Sequence, residues 1–192
     1  MSQVDICYVL SFGFAARTVL HTDLVPELQS RGLSVAAICP GAEEESMQAL
    51  GDKLGVDLYE APQVGGRLLN AYMPMRRYLF EDVQGNPALK AKHLRETEKE
   101  LPFKNKAKLL AGDWLNAFLM KTGLQEHLTA EREMSLYHNA EVKRMLKEMK
   151  PSMLVATYPV SPLEAVCLAE ARRLGIKTAV QLLSWDNITS KG

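Results

Sequence analysis

The sequence has no net charge, few cysteines and no long apolar run, and each of these absences excludes a class of protein. Its 192 residues carry 23 Lys plus Arg against 23 Asp plus Glu, so it lacks the positive field typical of nucleic-acid binders. No stretch approaches the ~18 apolar residues that span a bilayer. The start, MSQVDICYVL, has neither the basic region nor the cleavage site of a signal peptide. We therefore expect a cytoplasmic globular protein that does not bind nucleic acid.

The cysteines and histidines follow no disulfide or metal-binding pattern. Cys7, Cys39 and Cys167 form no CxxC pair, and three thiols cannot all pair within one chain. Histidine occurs four times, at His21, His93, His127 and His138. None of these spacings is typical of a zinc site. We expect free thiols in a reducing compartment, no bound metal and no cofactor.

The common nucleotide-binding and hydrolase motifs are also missing. The loop SFGFAAR after the first apolar run contains only Gly13, so the fingerprint GxGxxG fails. Cys39 and Pro40 stand where a ribose-binding acid would follow the second strand. Neither GxxxxGK[ST] nor GxSxG occurs, so the sequence favours neither a P-loop protein nor a hydrolase with a nucleophile elbow.

The sequence does contain an alternation of short apolar runs and amphipathic segments. The segments are a strand within 4–11, a helix over 15–31, a strand over 33–39, a helix over 43–50 and a strand over 56–60. Gly32 is suited to end the first helix, while Pro26 is expected to kink it or delay its start to Thr22. Alternation of this kind predicts an α/β fold with a parallel sheet.

The middle of the chain, about 62–150, predicts helices almost throughout. Segments 104–121 and 131–150 carry apolar stripes at helical spacing, and we expect both stripes to face a core. The first stripe consists of Ala107, Leu110, Ala111, Trp114, Leu115 and Phe118. The second consists of Met134, Tyr137, Val142, Met145, Leu146 and Met149.

The α/β pattern resumes near the end of the chain. Strands are predicted at 153–157 and 176–183, with a helix between them that stops at Gly175. Ser161 and Glu164 have the spacing of a capping box, with a proline at the first helical position. We interpret residues 1–192 as one α/β domain, a Rossmann-like doubly wound parallel sheet with a long helical insertion at about 62–150.

Ligands of such sheets bind beyond the carboxyl ends of the strands, where the strand order reverses. If the fourth strand lies on the opposite side of the first strand from the second, loops 12–17 and 158–161 flank that crevice. Gly13 then permits close backbone approach and Arg17 can pair with a phosphate or carboxylate. The alternative interpretation, given equal weight, is that Gly13 only makes a turn and that Arg17 is solvated. His21 is either a catalytic base near the crevice or a structural histidine.

Segment 67–80 mixes three arginines with large apolar residues. The apolar residues are Leu68, Leu69, Tyr72, Met73, Met75, Tyr78 and Phe80. Such a mixture can touch a membrane surface or a lipid-linked acceptor. We favour a core helix with its arginines in water, or a patch covered by a second subunit, since many helices of soluble proteins have this composition. The apolar insertion is compatible with a homodimer.

Both ends of the chain resemble GT-B glycosyltransferases. The stretch ICYVLSFGFAARTVLHTDLVPELQSRGLSVAAICPG, within residues 1–41, resembles their opening βαβ unit. Residues 154–192, ending LLSWDNITSKG, are similar to the close of the N-terminal domain in bacterial GT-B-like transferases of the surface-polysaccharide and teichoic-acid type.

The resemblance implies the acceptor-binding, N-terminal half of a transferase. In GT-B enzymes a second domain binds the nucleotide-sugar donor, and transfer occurs in the cleft between the domains, usually without a metal. The implied acceptor is a cell-surface glycan or a lipid-linked precursor, handled in the cytoplasm or at the inner face of the membrane. The donor-binding domain is expected outside this chain, so the chain alone is expected not to turn over.

The crevice and the resemblance together name the candidate site residues. The candidate catalytic residues are His21 and Asp186. The candidate substrate-binding residues are Gly13, Phe14, Arg17, Tyr158, Ser161, Ser184, Trp185, Asn187 and Lys191. Trp185 offers a stacking face for a sugar and Lys191 a phosphate contact, whereas Trp185 can instead close the core and Asp186 or Asn187 can cap a helix.

Two other functions remain open at this point. A stand-alone binding subunit of a split transferase is expected to expose an apolar face to its partner. A small α/β enzyme acting on a nucleotide or sugar phosphate is expected to hold an acid or base in its own pocket, and the sequence offers only His21 and Asp186 for that role.

Overall fold

The computed structural model describes residues 4–97, 102–124 and 133–182. Five strands within these ranges form one sheet: β1 (Ile6–Val9), β2 (Val35–Cys39), β3 (Asp57–Glu60), β4 (Met153–Ala156) and β5 (Lys177–Val180). The strand order is β3-β2-β1-β4-β5, and every neighbouring pair is parallel. Ile6 of β1 is in register with Val35 on one side and with Met153 on the other. This confirms the predicted α/β class with a Rossmann-like doubly wound sheet.

The described part of the chain divides into two compact units. The sheet unit comprises residues 4–65 and 137–182, and the helical unit comprises 66–97, 102–124 and 133–136. The helices of the sheet unit are α1 (Gly13–Leu20), α2 (Leu24–Ser30), α3 (Glu45–Leu54), α7 (Ala140–Met149) and α8 (Pro162–Arg173). Those of the helical unit are α4 (Arg67–Phe80), α5 (Pro87–Thr97) and α6 (Phe103–Thr122). The insertion predicted at about 62–150 thus corresponds to the helical unit together with α7, while the prediction of a single domain stays a prediction.

The central strands are apolar because they are covered on both faces. All five residues of β2 are buried, as are Cys7, Tyr8 and Val9 of β1. Successive residues point to opposite faces of a strand, so Tyr8 packs into a core with residues of α1 and α2 while Cys7 and Val9 point to the other face. The continuous apolar runs of the sequence are therefore those of buried parallel strands, as predicted.

The single helix predicted over 15–31 is wrong, because the structure has two helices there. The break falls at 21–23, between α1 and α2. Pro26 lies in the first turn of α2, where the helix requires no backbone N–H from it. Gly32 follows α2 with φ of 78°, a left-handed conformation that glycine adopts without steric cost, which confirms it as the residue that ends the helix.

The two predicted core-facing stripes have opposite outcomes. The stripe of segment 131–150 is confirmed in part, since its buried members are Tyr137, Val142, Leu146 and Met149. The stripe of segment 104–121 is wrong. Leu110, Trp114 and Phe118 are exposed, and the packed side of α6 instead presents Gly112, Asn116 and Leu119.

A close helix contact explains that inversion. A Cβ at Gly112 would stand 2.7 Å from Cε2 of Tyr78, so α6 approaches α4 at the one position without a side chain. Asn116 Nδ2 donates to the carbonyl oxygens of Tyr78, at 2.9 Å, and Glu81, at 2.7 Å. Backbone approach and the two hydrogen bonds of the buried Asn116 thus select the small and polar face of α6 for packing, not its most apolar face.

Helix α4 is packed, as the core interpretation of segment 67–80 predicted. Leu69 and Tyr78 are buried. Two of its three arginines, however, are paired: Arg76 Nε lies 2.5 Å from Glu133 Oε1, and Arg77 Nη2 lies 2.6 Å from Glu96 Oε2. Arg67 is exposed, as predicted. Across the ranges that the structure describes, no helix combines the length and apolar character needed to cross a membrane.

Candidate ligand-binding crevice

The strand order places a switch point between β1 and β4. The chain leaves β1 toward β2 on one side of the sheet, whereas β4 continues to β5 on the other side. The loops that follow β1 and β4 therefore diverge and leave a crevice at the carboxyl edge of the sheet, the usual ligand position in open α/β folds. The strand order that the prediction required is confirmed, and residues 10–12 and 157–161 follow β1 and β4. The predicted loop over 12–17 is wrong from Gly13 onward, because α1 begins there.

A buried carboxylate ties the two loops together. Glu164, in the first turn of α8, is 0 % exposed. Its Oε1 accepts from Ser11 Oγ at 2.5 Å and from Ser11 N at 3.3 Å. Its Oε2 accepts from Thr157 N at 2.6 Å and from Tyr158 N. Charge-assisted hydrogen bonds to both loops hold the edges of the crevice at a defined separation.

The hydroxyl of Thr157 extends this network to β1. Thr157 Oγ1 donates to the carbonyl oxygen of Val9 at 3.1 Å and lies 3.2 Å from Oε1 of Glu164. Because Glu164 is fully buried and already accepts from both loops, it positions the crevice and does not itself contact a ligand.

The capping box predicted for Ser161 and Glu164 is wrong. Ser161 makes no side-chain cap hydrogen bond, although Pro162 does occupy the first turn of α8 as predicted. Glu164 instead turns toward the loops after β1 and β4. The signal that could have found it is an acidic residue on the otherwise apolar face of α8, which also holds Leu163 and Cys167. A carboxylate is almost never buried without dedicated partners.

Aromatic side chains line the crevice above this network. Phe12 is 38 % exposed and Phe14 55 %, and their ring centroids lie 6.4 Å apart in a stacked arrangement. Tyr158, from the opposite loop, meets Phe12 edge to face at 5.0 Å. The three rings thus form an aromatic surface contributed by both loops. Exposed aromatic faces of this kind bind the apolar faces of sugars and the planes of bases.

The start of α1 adds a polar element next to the rings. Among the described residues, no side chain caps this end and its first turn holds no acidic residue, so the positive end of the helix dipole is uncompensated there. Gly13 has no described heavy atom within 4 Å of the place where a Cβ would stand. Its φ is not positive, so the fold does not require glycine here, and the open space leaves room for a ligand atom.

The structure brings some of the predicted site residues together and separates others. Gly13, Phe14, Tyr158 and Ser161 lie on the two crevice loops or at the start of the helices that follow. Arg17 is exposed one turn further along α1. Ser184, Trp185, Asp186, Asn187 and Lys191 lie outside the described residues. Phe12 belongs to the predicted loop 12–17 but was not among the candidate site residues. Ser11, Thr157 and Glu164 are residues of this network that the sequence analysis did not assign to the crevice.

His21 does not lie where the sequence analysis expected it. It is the exposed residue that ends α1, whereas the crevice is at the start of that helix. At ~1.5 Å of rise per residue, the length of α1 separates it from Gly13 by about 12 Å. The expectation that His21 is close to the crevice is therefore wrong, and its catalytic role stays a prediction without support from its position.

The three cysteines are free and buried. Burial raises the pKa of the Cys7 thiol to about 12. Burial, and then the charge of Glu60, raises the pKa of the Cys39 thiol to about 11. Burial likewise raises the pKa of Cys167. Each thiol is therefore protonated at neutral pH, which excludes these cysteines as thiolate nucleophiles.

A second buried carboxylate lies further along α8. Glu170 is 0 % exposed, and its Oε1 lies 2.6 Å from His138 Nδ1 and 3.1 Å from Arg173 Nη1. The same oxygen accepts from Asn139 N at 3.0 Å. Arg173 also donates to the carbonyl oxygen of Tyr137 at 2.6 Å. This cluster attaches the segment before α7 to α8 and so stabilises the sheet unit.

Within the described ranges, no three His, Cys, Asp or Glu side chains stand close enough together to hold a metal ion. Comparison with protein-family models, with curated proteins and with solved structures found no match to this chain. The function is therefore argued from the crevice and from the sequence motifs alone.

Proposed function

We propose that this chain is the acceptor-binding, Rossmann-like half of a GT-B-type glycosyltransferase. In this proposal the acceptor is a cell-surface glycan or its lipid-linked precursor, and a second domain binds the nucleotide-sugar donor. The observation that carries the proposal is the aromatic surface of Phe12, Phe14 and Tyr158 at the switch point of the sheet. The resemblance of the two ends of the chain to GT-B enzymes points to the same class.

The crevice is suited to binding and orienting a glycan. Aromatic rings contact the C–H faces of a sugar, and the start of α1 offers backbone N–H groups to its hydroxyl oxygens or to a phosphate. Glu164 holds both loops before the ligand arrives, which lowers the entropy lost on binding. The described crevice supplies these binding contacts; a base that deprotonates the acceptor hydroxyl is expected from the segment around Asp186 or from the donor domain.

Glycan binding is the direct test. We would titrate the chain with oligosaccharides of bacterial surface-glycan type and follow ligand-observed NMR. The double variant Phe12→Ala/Phe14→Ala is expected to weaken binding by ~10-fold or more, since it removes the exposed rings. Its thermal midpoint should fall by only a few degrees, because Phe14 is 55 % exposed and Phe12, at 38 %, is only partly covered. Leu94→Ala, which removes an exposed apolar side chain of the helical unit, is the matched control and should bind like the wild type.

Other outcomes would assign a different function. A chain that binds nucleotide-sugars in the crevice but no glycan is a donor-side domain, and the proposal is then wrong. Turnover of a nucleotide or sugar phosphate by these 192 residues alone would identify a self-contained α/β enzyme. Under the proposal, the chain alone transfers no sugar, and transfer is expected only when a donor-binding domain is also present.

A further inference from the structure

A cavity of about 570 Å³ lies between α4, α5 and α6 in the helical unit. Most of its wall is apolar and comes from the side chains of Ala71, Pro74, Met75 and Leu109. Cavities of this size bind small organic molecules in many proteins, usually with a few polar groups that orient the ligand. The helical unit alone supplies the lining residues, so the cavity shares no residue with the crevice at the edge of the sheet.

The packing of α4 against α6 leaves this space open. The two helices approach closely at Tyr78 and Gly112, where a Cβ on the glycine would stand 2.7 Å from the ring. About two turns earlier on the same side of each helix stand Ala71 and Asn105, and both of these residues line the cavity. Such short side chains do not fill the space between two helices, so the contact at Gly112 closes only one end of it.

Hydrogen bonds fix one wall of the cavity before any ligand enters. Arg77 Nη2 donates to Glu96 Oε2 of α5 at 2.6 Å and to the hydroxyl oxygen of Tyr78 at 2.9 Å. The guanidinium also lies over the Tyr78 ring, 4.8 Å from its centroid. The same hydroxyl lies 3.4 Å from Nδ1 of the buried His93. Side chains of α4 and α5 thus hold one another in place, which lowers the entropy that a ligand would lose by ordering them.

The ionisable groups of the cavity leave one positive charge unbalanced. The lining holds two cations, Arg77 and Lys108, and one anion, Glu96. Arg77 is paired with Glu96, whereas Lys108 pairs with no carboxylate among the described residues. Arg77 Nε is buried and has no acceptor among the described residues either, so the pair with Glu96 does not use all the donors of this guanidinium. One anionic group on a ligand would balance the charge of the wall.

We propose that this cavity binds a small organic monocarboxylate with an apolar body. The carboxylate pairs with Lys108, beside the Arg77 guanidinium, and the apolar body lies against Ala71, Met75 and Leu109. The inference goes beyond glycan binding and does not depend on it, because the cavity and the crevice have no residue in common.

Other ligands suit the cavity less well. A cation would face both Lys108 and Arg77. A phosphate dianion carries one charge more than the wall balances, and a mostly apolar wall offers few donors to its oxygens. A neutral apolar molecule leaves Lys108 without a counter-ion. A monocarboxylate satisfies the apolar wall and the one excess cation together.

Three probes with the same apolar body test the proposal. Phenylbutyrate, phenylbutanol and phenylbutylammonium carry a negative, a neutral and a positive head on that body. We would titrate the wild-type chain with each probe and follow ligand-observed NMR. Phenylbutyrate is expected to bind with a Kd of about 0.1–1 mM, the range for a ligand of this size. Phenylbutanol should bind about 10-fold more weakly, because it lacks the charge-assisted contact, and phenylbutylammonium should show no saturable binding.

Substitutions in the cavity separate the effect of charge from that of shape. Lys108→Gln is expected to weaken phenylbutyrate binding by about 10-fold and to leave phenylbutanol binding unchanged. Ala71→Leu fills the cavity from α4, so saturable binding of both probes should be lost. Both positions are exposed, and the thermal midpoints should stay close to the wild-type value. Lys106→Gln and Ala107→Leu, at exposed positions of α6 outside the cavity, are the matched controls and should bind both probes like the wild type.

Four results would overturn the proposal. One is equal affinity of the wild-type chain for phenylbutyrate and phenylbutanol, and another is no saturable binding of phenylbutyrate. The third is binding that neither Lys108→Gln nor Ala71→Leu changes, because the probe then occupies another surface. The fourth is a dimer, seen by analytical ultracentrifugation, that Ala71→Leu converts to monomer, which would assign the cavity to a second copy of the chain.

The test is also separable from that of the proposed function. The glycan affinity of Lys108→Gln should equal that of the wild type, since Lys108 lines the cavity and not the crevice. The phenylbutyrate affinity of Phe12→Ala/Phe14→Ala should likewise be unchanged. A loss of phenylbutyrate binding in this double variant would place the probe in the crevice and contradict the assignment to the cavity.

Discussion

Helices α8 and α6 depart from the ordinary hydropathy pattern in opposite directions. Helix α8 buries two carboxylates, Glu164 and Glu170, whereas α6 leaves Trp114 and Phe118 in water. The buried acids of α8 have donors from distant segments, so they stabilise the sheet unit. On α6, the described contacts with α4 come from the other side of the helix, from Gly112 and Asn116. Buried acids with donors therefore indicate a structural lock, whereas α6 shows that close approach and hydrogen bonding can outweigh apolarity in selecting the packed side of a helix.

The largest expected effect is on the α8 side of this comparison. Glu164→Gln replaces a carboxylate oxygen by an NH₂ group that faces N–H donors, so it should lower the free energy of unfolding by about 3 kcal/mol. Urea unfolding followed by circular dichroism measures this. Glu148→Gln, on the exposed surface of α7, is the control and should change it by less than ~0.5 kcal/mol.

Alkylation of the three cysteines is a second way to measure the effect of Glu164→Gln. All three are in the sheet unit and buried, so alkylation of the native wild type should be slow. Glu164→Gln should accelerate it because the sheet unit opens more often. Unchanged stability together with unchanged alkylation would show that Glu164 does not lock the loops.

A smaller effect is expected on the packed side of α6. Gly112→Ala places a Cβ 2.7 Å from the Tyr78 ring and should destabilise the protein by about 2 kcal/mol. Trp114→Ala lies two residues along the same helix but on its exposed side. Although it removes a whole indole ring, it should change the free energy of unfolding by less than ~0.5 kcal/mol. A larger loss for Trp114→Ala than for Gly112→Ala in urea unfolding would mean that the packed and exposed sides of α6 are reversed.

The smallest expected effect concerns pH and the interior of the helical unit. The hydrogen bond from Arg77 lowers the pKa of Glu96 below its ordinary value of 4.5. The native state therefore binds fewer protons there than the unfolded state. Its stabilising contribution is present above the ordinary pKa and is lost as the pH falls through the lowered one. With solvent screening of this partly exposed pair, we expect about 0.5 kcal/mol.

Unfolding of the wild type and of Glu96→Gln at neutral and acidic pH measures this contribution. The difference in stability between the two should be present at neutral pH and diminish as the pH falls below the ordinary pKa of 4.5. Glu27→Gln, which breaks an exposed pair with Arg31, should produce a smaller difference at neutral pH. A Glu96→Gln difference that persists at acidic pH would contradict the assigned role of the Arg77 pair.

The sequence predicted the sheet well because its signals are local. Apolar runs, the glycine after α2 and the glycine after α8 lie within a few residues of the elements that they delimit. The approximate positions of the loops after β1 and β4 followed from the same pattern, whereas the strand order that makes them flank a switch point was only a condition in the sequence analysis. The role of Glu164 could not be predicted in this way. Its hydrogen bond to Ser11 joins residues 153 positions apart, and the nearby Ser161 offered a plausible local partner instead.

The sequence by itself determined the α/β alternation and the parallel sheet, since periodicity and turn residues act over one element at a time. The tertiary structure alone decided the strand order at the switch point and the side of α6 that is covered. Periodicity marked the apolar stripe of α6, but close approach at Gly112 and the hydrogen bonds of Asn116 turned that stripe to solvent. Whether a side chain of α6 is buried depends on where α4 packs against it, and α4 comes from a distant part of the chain.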